Sequence, residues 1–147
     1  MSGYRTVVVG TDGSDSSLRA VDRAASIAGV DSTLIIATAY LPTHEDARAA
    51  DILKGESYKV SGAGPIYDIL RSARERAHAA GAKNVEERAV EGAPVDALVS
   101  LAEEAKADLL VVGNVGLSTI AGRLLGSVPA NVSRRAKIDV LIVHTTP

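Results

Sequence analysis

The stretch Asp108-Leu109-Leu110-Val111-Val112-Gly113 decides the fold. It is short, almost wholly aliphatic, and lacks the apolar–polar alternation of a strand with one wet face. A strand covered on both faces reads this way, which is the mark of a parallel sheet. Working outward, Tyr4 to Gly10, Thr33 to Tyr40 and Ile138 to His144 are runs of the same kind. Asn84 to Val90 is more polar. Only Val85, Ala89 and Val90 give it a partial pattern, so it reads as an edge strand.

Helical stripes fill the gaps. Leu18, Val21, Ala25 and Ala28 share one face, as do Ile66, Ile69, Leu70, Ala73, Ala77 and Ala80, and again Val95, Leu98, Val99 and Ala102. Spacings of three and four make each set one side of an amphipathic helix. A last helix is expected from Ser127, a good N-cap, with Pro129 in its first turn where a missing N–H is harmless. Val132 and Ala136 would face the sheet, with Arg134, Arg135 and Lys137 near its C-terminus. Strands alternating with helices imply right-handed crossovers and helices on both faces of the sheet. The connection from Leu41 to Gly64 is long, with a short helical stretch expected around Glu45 to Leu53; connections of this length are usually functional or mobile.

At 147 residues, with no internal repeat, the chain reads as one domain spanning 1–147. A domain of this size buries roughly 70% of its unfolded surface, so it needs no staple. It contains no cysteine, which excludes disulfides and thiolate metal sites. The apolar stretch at the start, Val7-Val8-Val9, is too short for a secretory core, and no run approaches a membrane span. A cytoplasmic protein without a membrane partner is therefore expected. The net charge is -2 and the only aromatics are four tyrosines. A nucleic-acid partner would want a basic footprint and stacking side chains, and neither is present.

In an open parallel sheet, ligands bind at the carboxyl ends of the strands, where the strand order reverses. Three segments lie there. They are Gly10-Thr11-Asp12-Gly13-Ser14, Ala37-Thr38-Ala39-Tyr40, and the glycine-punctuated run from Gly113 and Asn114 to Gly126 and Ser127. In the third, glycines let a backbone approach a ligand and aim N–H groups at it, and a helix N-terminus follows. That suits a phosphate. A plain connection that needs glycine only for its turns fits the spacing as well. Asp12, one residue past a strand end, caps the next helix with Ser14 on one reading; on the other it accepts from a ribose hydroxyl or helps to hold a divalent metal. His44, His78 and His144 have no metal-ligand spacing. There is no G-x-S-x-G elbow and no Gly-Lys-Ser/Thr phosphate loop; Arg123 is the only cation in the glycine run. A phospho-accepting receiver domain shares the topology. It needs an aspartate where this chain has Val90, Glu91 and Gly92, and a lysine ending the last strand, whereas Lys137 precedes it.

The run Gly113-x2-Gly116-x9-Gly126-Ser127 resembles the signature of nucleotide-binding universal stress proteins. Gly10-Thr11-Asp12-Gly13-Ser14 and Asp139-Val140-Leu141-Ile142-Val143 also look like that family, and the likeness covers essentially the whole chain. The resemblance implies a doubly wound α/β domain with a five-stranded parallel sheet of order 3-2-1-4-5. It implies a nucleotide site made by Gly10, Thr11, Asp12, Thr38, Ala39, Gly113, Asn114, Val115, Gly116, Gly126, Ser127 and Val128. In it, Asp12 would lie near the ribose, the phosphates or an associated metal. Thr38 or Ala39 would meet adenine through the backbone, and Gly113, Gly116, Gly126 and Ser127 would hold the ribose and phosphates. It also implies a homodimer through Ile138 to His144.

Val128-Pro129-Ala130-Asn131 after the signature is similar to a sub-branch that binds cyclic AMP. One negative charge suits a run with a single arginine, whereas ATP would want more compensation or magnesium. The expectation is thus a non-enzymatic sensor or buffer of cyclic AMP and also ATP in stress physiology. The alternatives are a slow ATPase or a structural dimer with a vestigial pocket.

Overall fold

The structure is a computed structural model that describes residues 3–40, 63–114 and 127–144. Its first strand shows why the chain folds as it does. Val7, Val8 and Val9 are all fully buried, yet consecutive residues of a strand point to opposite faces. Val7 and Val9 join one apolar cluster, and Val8 joins the other. Both faces must therefore be covered, and helices cover them.

The elements in chain order are β1 (Thr6–Gly10), α1 (Asp15–Ala28), β2 (Thr33–Tyr40), α2 (Ala63–Ala79), β3 (Asn84–Glu91), α3 (Pro94–Glu104), β4 (Leu109–Gly113), α4 (Ser127–Arg135) and β5 (Asp139–Val143). The sheet order is β3-β2-β1-β4-β5 and every pairing is parallel, as the alternating pattern and the resemblance imply. The polar third strand and the apolar fifth form the two edges.

Helices α1 and α2 cover one face through Ala20, Val21, Ala24, Ala25, Leu70, Ala73 and Ala77. Alanine at most of these positions lets the helices approach the sheet closely. The two helices are joined by Arg76, whose Nε and Nη2 each donate to Asp22 at 2.8 Å. The other face is covered by α3 and α4, with Leu98, Leu101, Ala102 and Val132 against Val8, Ile35, Leu110 and Val112. The stripes read from sequence are the buried sides of these helices, and Ala136 packs on the second cluster beside Val132.

Boundaries differ slightly from the sequence reading. The first and last strands are shorter than Tyr4 to Gly10 and Ile138 to His144. Ser127 is the first residue of α4 rather than its N-cap. Helix ends fray and caps half belong to the helix, so shifts of one or two residues carry no structural meaning. The expected helical stretch around Glu45 to Leu53 lies outside the described residues. Among the described residues, no helix is long and apolar enough to cross a membrane.

Candidate functional site

The sheet order reverses at β1, with β2 on one side and β4 on the other. Register then fixes what meets there. Val9 pairs Val111, so Thr11 and Gly113, each two residues further on, stand at the same level of the carboxyl edge. Gly10 pairs Ala37, and Thr11 N–H continues the ladder by donating to the Ala37 carbonyl at 2.9 Å. Two of the three candidate segments are thereby hydrogen-bonded to each other.

A cleft opens at this edge, lined by Gly10, Thr11, Asp12, Ala37, Ala39, Pro94 and Leu98. Its lining is apolar at Ala37, Ala39, Pro94 and Leu98 and polar at Thr11 and Asp12. Small-molecule sites combine mostly apolar lining with a few placed polar groups in this way.

The Thr11–Ser17 turn is built from side-chain hydroxyls. Ser14 caps α1 in extended geometry, φ -72° and ψ 156°, and its hydroxyl accepts from Ser17 N–H at 3.2 Å. Asp12 Oδ1 accepts from Ser14 N–H at 2.9 Å and from the Ser17 hydroxyl at 3.0 Å. Thr11 Oγ1 lies 2.7 Å from Ser17 Oγ and accepts from Gly13 N–H at 3.1 Å. Thr38 Oγ1 donates to the Thr11 carbonyl at 2.9 Å. Thr11, Ser17 and Thr38 are buried and Asp12 is half-buried. Burial pushes the Asp12 carboxyl up, but donors from Ser14, Ser17 and its own backbone N–H outweigh it. They hold the group below its ordinary value, so Asp12 is an anion at neutral pH. Gly13, at φ +86°, makes the sharp turn from strand to helix. A Cβ there would also sit 3.1 Å from Ile69 on α2.

The capping reading of Asp12 matches this geometry: Oδ1 accepts from Ser14 N–H and the Ser17 hydroxyl at the start of α1. Asp12 is also one of the residues lining the cleft. Of the expected site residues, Gly10, Thr11, Asp12 and Ala39 line the cleft. The Thr38 side chain does not; it ties β2 to the Thr11 turn. Gly113 and Asn114 lie on the same edge at the end of β4, where Asn114 N–H donates to the Val143 carbonyl at 2.8 Å. Val115, Gly116 and Gly126 lie outside the described residues. Of Ser127 and Val128 only the helical backbone is described.

Sequence reasoning placed Ala37 in a candidate segment without naming it as a site residue, and it did not single out Ser17 or Pro94. Leu98 reads as core, and it is core along most of its length. Pro94 carried a usable signal: β3 also ends at the carboxyl edge, and Gly92-Ala93-Pro94 turns there into α3, with Gly92 at φ +135°. No group of three or more metal-ligating side chains occurs among the described residues.

A parallel sheet with helices on both faces and a cleft at its switch point defines a doubly wound α/β domain. The chain belongs to the universal stress protein family, whose model matches residues 3–144. A universal stress protein of Mycobacterium tuberculosis is 83% identical over 146 residues, covering 99% of this chain and 100% of the relative. One from Methanocaldococcus jannaschii is 32% identical, covering 95% of this chain and 82% of the relative. Among solved structures, a universal stress protein in complex with cyclic AMP is 66% identical. It matches with a TM-score of 0.75 and covers 99% of this chain and 100% of the other.

Proposed function

We propose that this protein binds adenine nucleotides, cyclic AMP first and ATP also, and acts by binding rather than by turnover. The observation that carries the reading is the cleft itself. Its apolar lining of Ala37, Ala39, Pro94 and Leu98 would take the adenine ring, with Asp12 placed for the ribose. The phosphate would meet the N-terminus of α4, which starts at Ser127. The proposed site is Gly10, Thr11, Asp12, Thr38, Ala39, Gly113, Asn114, Val115, Gly116, Gly126, Ser127 and Val128. The 66% identical relative solved with cyclic AMP supports that ligand.

Among the described residues, no lysine or histidine lines the cleft, and Asp12 is the only ionisable side chain lining it. A hydrolytic site would need a cation on the outer phosphates and a positioned base. Magnesium accompanying ATP would have Asp12 as its one carboxylate and otherwise phosphate and water, which magnesium accepts. We further propose a cytoplasmic nucleotide sensor or buffer, active in stress physiology, without a nucleic-acid or membrane partner.

We also propose a homodimer through residues 138–144. Strand β5 is a sheet edge, and its Ile142 is 43% exposed. An uncovered apolar edge invites strand pairing. Proline at an outward-facing N–H of β5 should give a folded monomer by sedimentation; an intact dimer would place the interface elsewhere.

Calorimetric titration with cyclic AMP, AMP and ATP, with and without magnesium, tests the ligand reading. Saturable one-to-one binding of cyclic AMP is expected, and no heat of binding from any of the three would refute it.

A further inference from the structure

Ser17 is buried in the first turn of α1 and does not line the cleft, yet the turn converges on its hydroxyl. A serine hydroxyl has one proton and two lone pairs. The Ser17 proton has three acceptors in reach: Thr11 Oγ1 at 2.7 Å, and Asp12 Oδ1 and the Ser14 carbonyl, both at 3.0 Å. The carbonyl is already taken by Leu18 N–H at 2.9 Å, and the carboxylate is the strongest acceptor of the three. With its proton on Asp12 Oδ1, Ser17 Oγ is left to accept, from the Thr11 hydroxyl, from Asp12 N–H at 3.2 Å and from the Ser14 hydroxyl at 3.2 Å. The bonds then run from Gly13 N–H through Thr11 and Ser17 to Asp12 Oδ1. Ser14 N–H and the Ser17 hydroxyl both fall on Oδ1 of Asp12.

We propose that Ser17 is a positioning residue of the nucleotide site, pinning Oδ1 of Asp12 so that Oδ2 faces the cleft as acceptor for a ribose 2′-hydroxyl. This rests on the nucleotide-binding reading above. Position 17 is three residues past the cap, where glutamate commonly reaches back to the cap's own N–H. A glutamate would put a second charge beside Asp12. Serine reaches back with a neutral hydroxyl and sets no second charge against the Asp12 carboxylate. In cyclic AMP the phosphate occupies the 3′ and 5′ oxygens, so the 2′-hydroxyl is the one ribose donor left. A carboxylate with one oxygen fixed inward and the other outward meets a single donor without rotating.

The experiment compares cyclic AMP with 2′-deoxy cyclic AMP on three forms of the full chain, with circular dichroism confirming the fold. Wild type should prefer cyclic AMP about tenfold or more, the range for a hydrogen bond to a charged group. Ser17→Ala should lower that preference to about threefold or less. Ser17→Cys, with a weaker donor of similar size, should fall between and also serves if the alanine form is unstable. Thr11→Val removes an equally buried hydroxyl that does not touch Asp12. It should weaken both ligands while the preference stays near the wild-type value. If Ser17→Ala weakens both ligands equally and keeps the full preference, Ser17 is structural and the proposal is wrong. Wild type that binds cyclic AMP without regard to the 2′-hydroxyl overturns this inference alone. Wild type that binds neither ligand overturns the nucleotide reading beneath it.

Discussion

The two edges of the sheet each carry one aspartate with a depressed pKa, and they use it differently. At the amino edge, Asp108 precedes β4 and clasps the start of β1. Its Oδ1 accepts from Thr6 N–H and its Oδ2 from Arg5 N–H, both at 2.9 Å. Both oxygens serve the backbone. Nearby, the Tyr4 hydroxyl donates to Asp139 at 2.9 Å and the Ser32 hydroxyl donates to the Tyr4 carbonyl. At the carboxyl edge, Asp12 gives one oxygen to the backbone and side chains of its turn, and the cleft opens beside it. The difference teaches how to separate a carboxylate spent wholly on the backbone from one that also lines a cleft. Burial pushes both groups up and hydrogen bonds bring both below their ordinary value, so the pKa alone does not distinguish them. Where the second oxygen goes does.

The largest effect that would sharpen the contrast is at the carboxyl edge. Gly113→Val should lower cyclic AMP affinity at least a hundredfold, about 2.7 kcal/mol, while the protein stays folded. Gly113 ends β4 fully enclosed, opposite Val143, and a branched side chain there would occupy volume beside the ligand. Calorimetry gives the affinity and circular dichroism the fold. Normal affinity in a folded Gly113→Val protein would move the site elsewhere.

The next two effects form a pair. Asp12→Asn should cost about 1.5–3 kcal/mol of binding, roughly tenfold to a hundredfold, because a charged acceptor is lost. Its melting temperature should change little. Asp108→Ala should do the reverse, costing about 1 kcal/mol of stability and nothing in affinity. That loss sits at the low end for a removed acceptor because Arg5 is exposed and water can replace part of the bond.

The smallest effect is in acid. A carboxyl whose folded pKa lies below its unfolded value of 3.8 stabilises the protein fully above that value. Between the two values the unfolded chain binds more protons, so stability falls as pH falls through the folded pKa. Wild type should therefore lose stability more steeply below pH 3.8 than Asp108→Ala does. Chemical unfolding at a series of pH values measures this, and parallel curves would count against the clasp.

Much of this was legible in the residues. The continuous aliphatic runs Val7 to Val9, Leu34 to Ala37 and Leu109 to Val112 announce burial on both faces, because no residue in them is suited to water. The alternation of Val7 and Val9 against Val8 between two clusters needs no tertiary knowledge beyond that. Strand order came from the glycine signature's likeness to a family, since pattern alone does not say which strands are neighbours. The polar side chains were harder. Asp12, Thr11 and Thr38 stand next to strand ends and attract notice. Ser17 sits inside a helical pattern, where a serine normally faces solvent, and only the closed set of hydrogen bonds reveals it. Leu98 and Pro94 belong to the site because α3 packs across the ends of β1 and β2, a contact between segments more than 50 residues apart in the chain. The remaining signature positions Val115, Gly116 and Gly126, and the 41–62 connection, lie outside the described residues.

The measurement that tests the central claim most directly is a side-by-side calorimetric titration of cyclic AMP into wild type, Asp12→Asn and Asp108→Ala, with the melting temperature of each sample. Affinity should fall tenfold or more in Asp12→Asn alone, and melting temperature should fall mainly in Asp108→Ala. Equal affinity in wild type and Asp12→Asn would contradict the account, because the carboxylate facing the cleft would then have no part in holding the nucleotide.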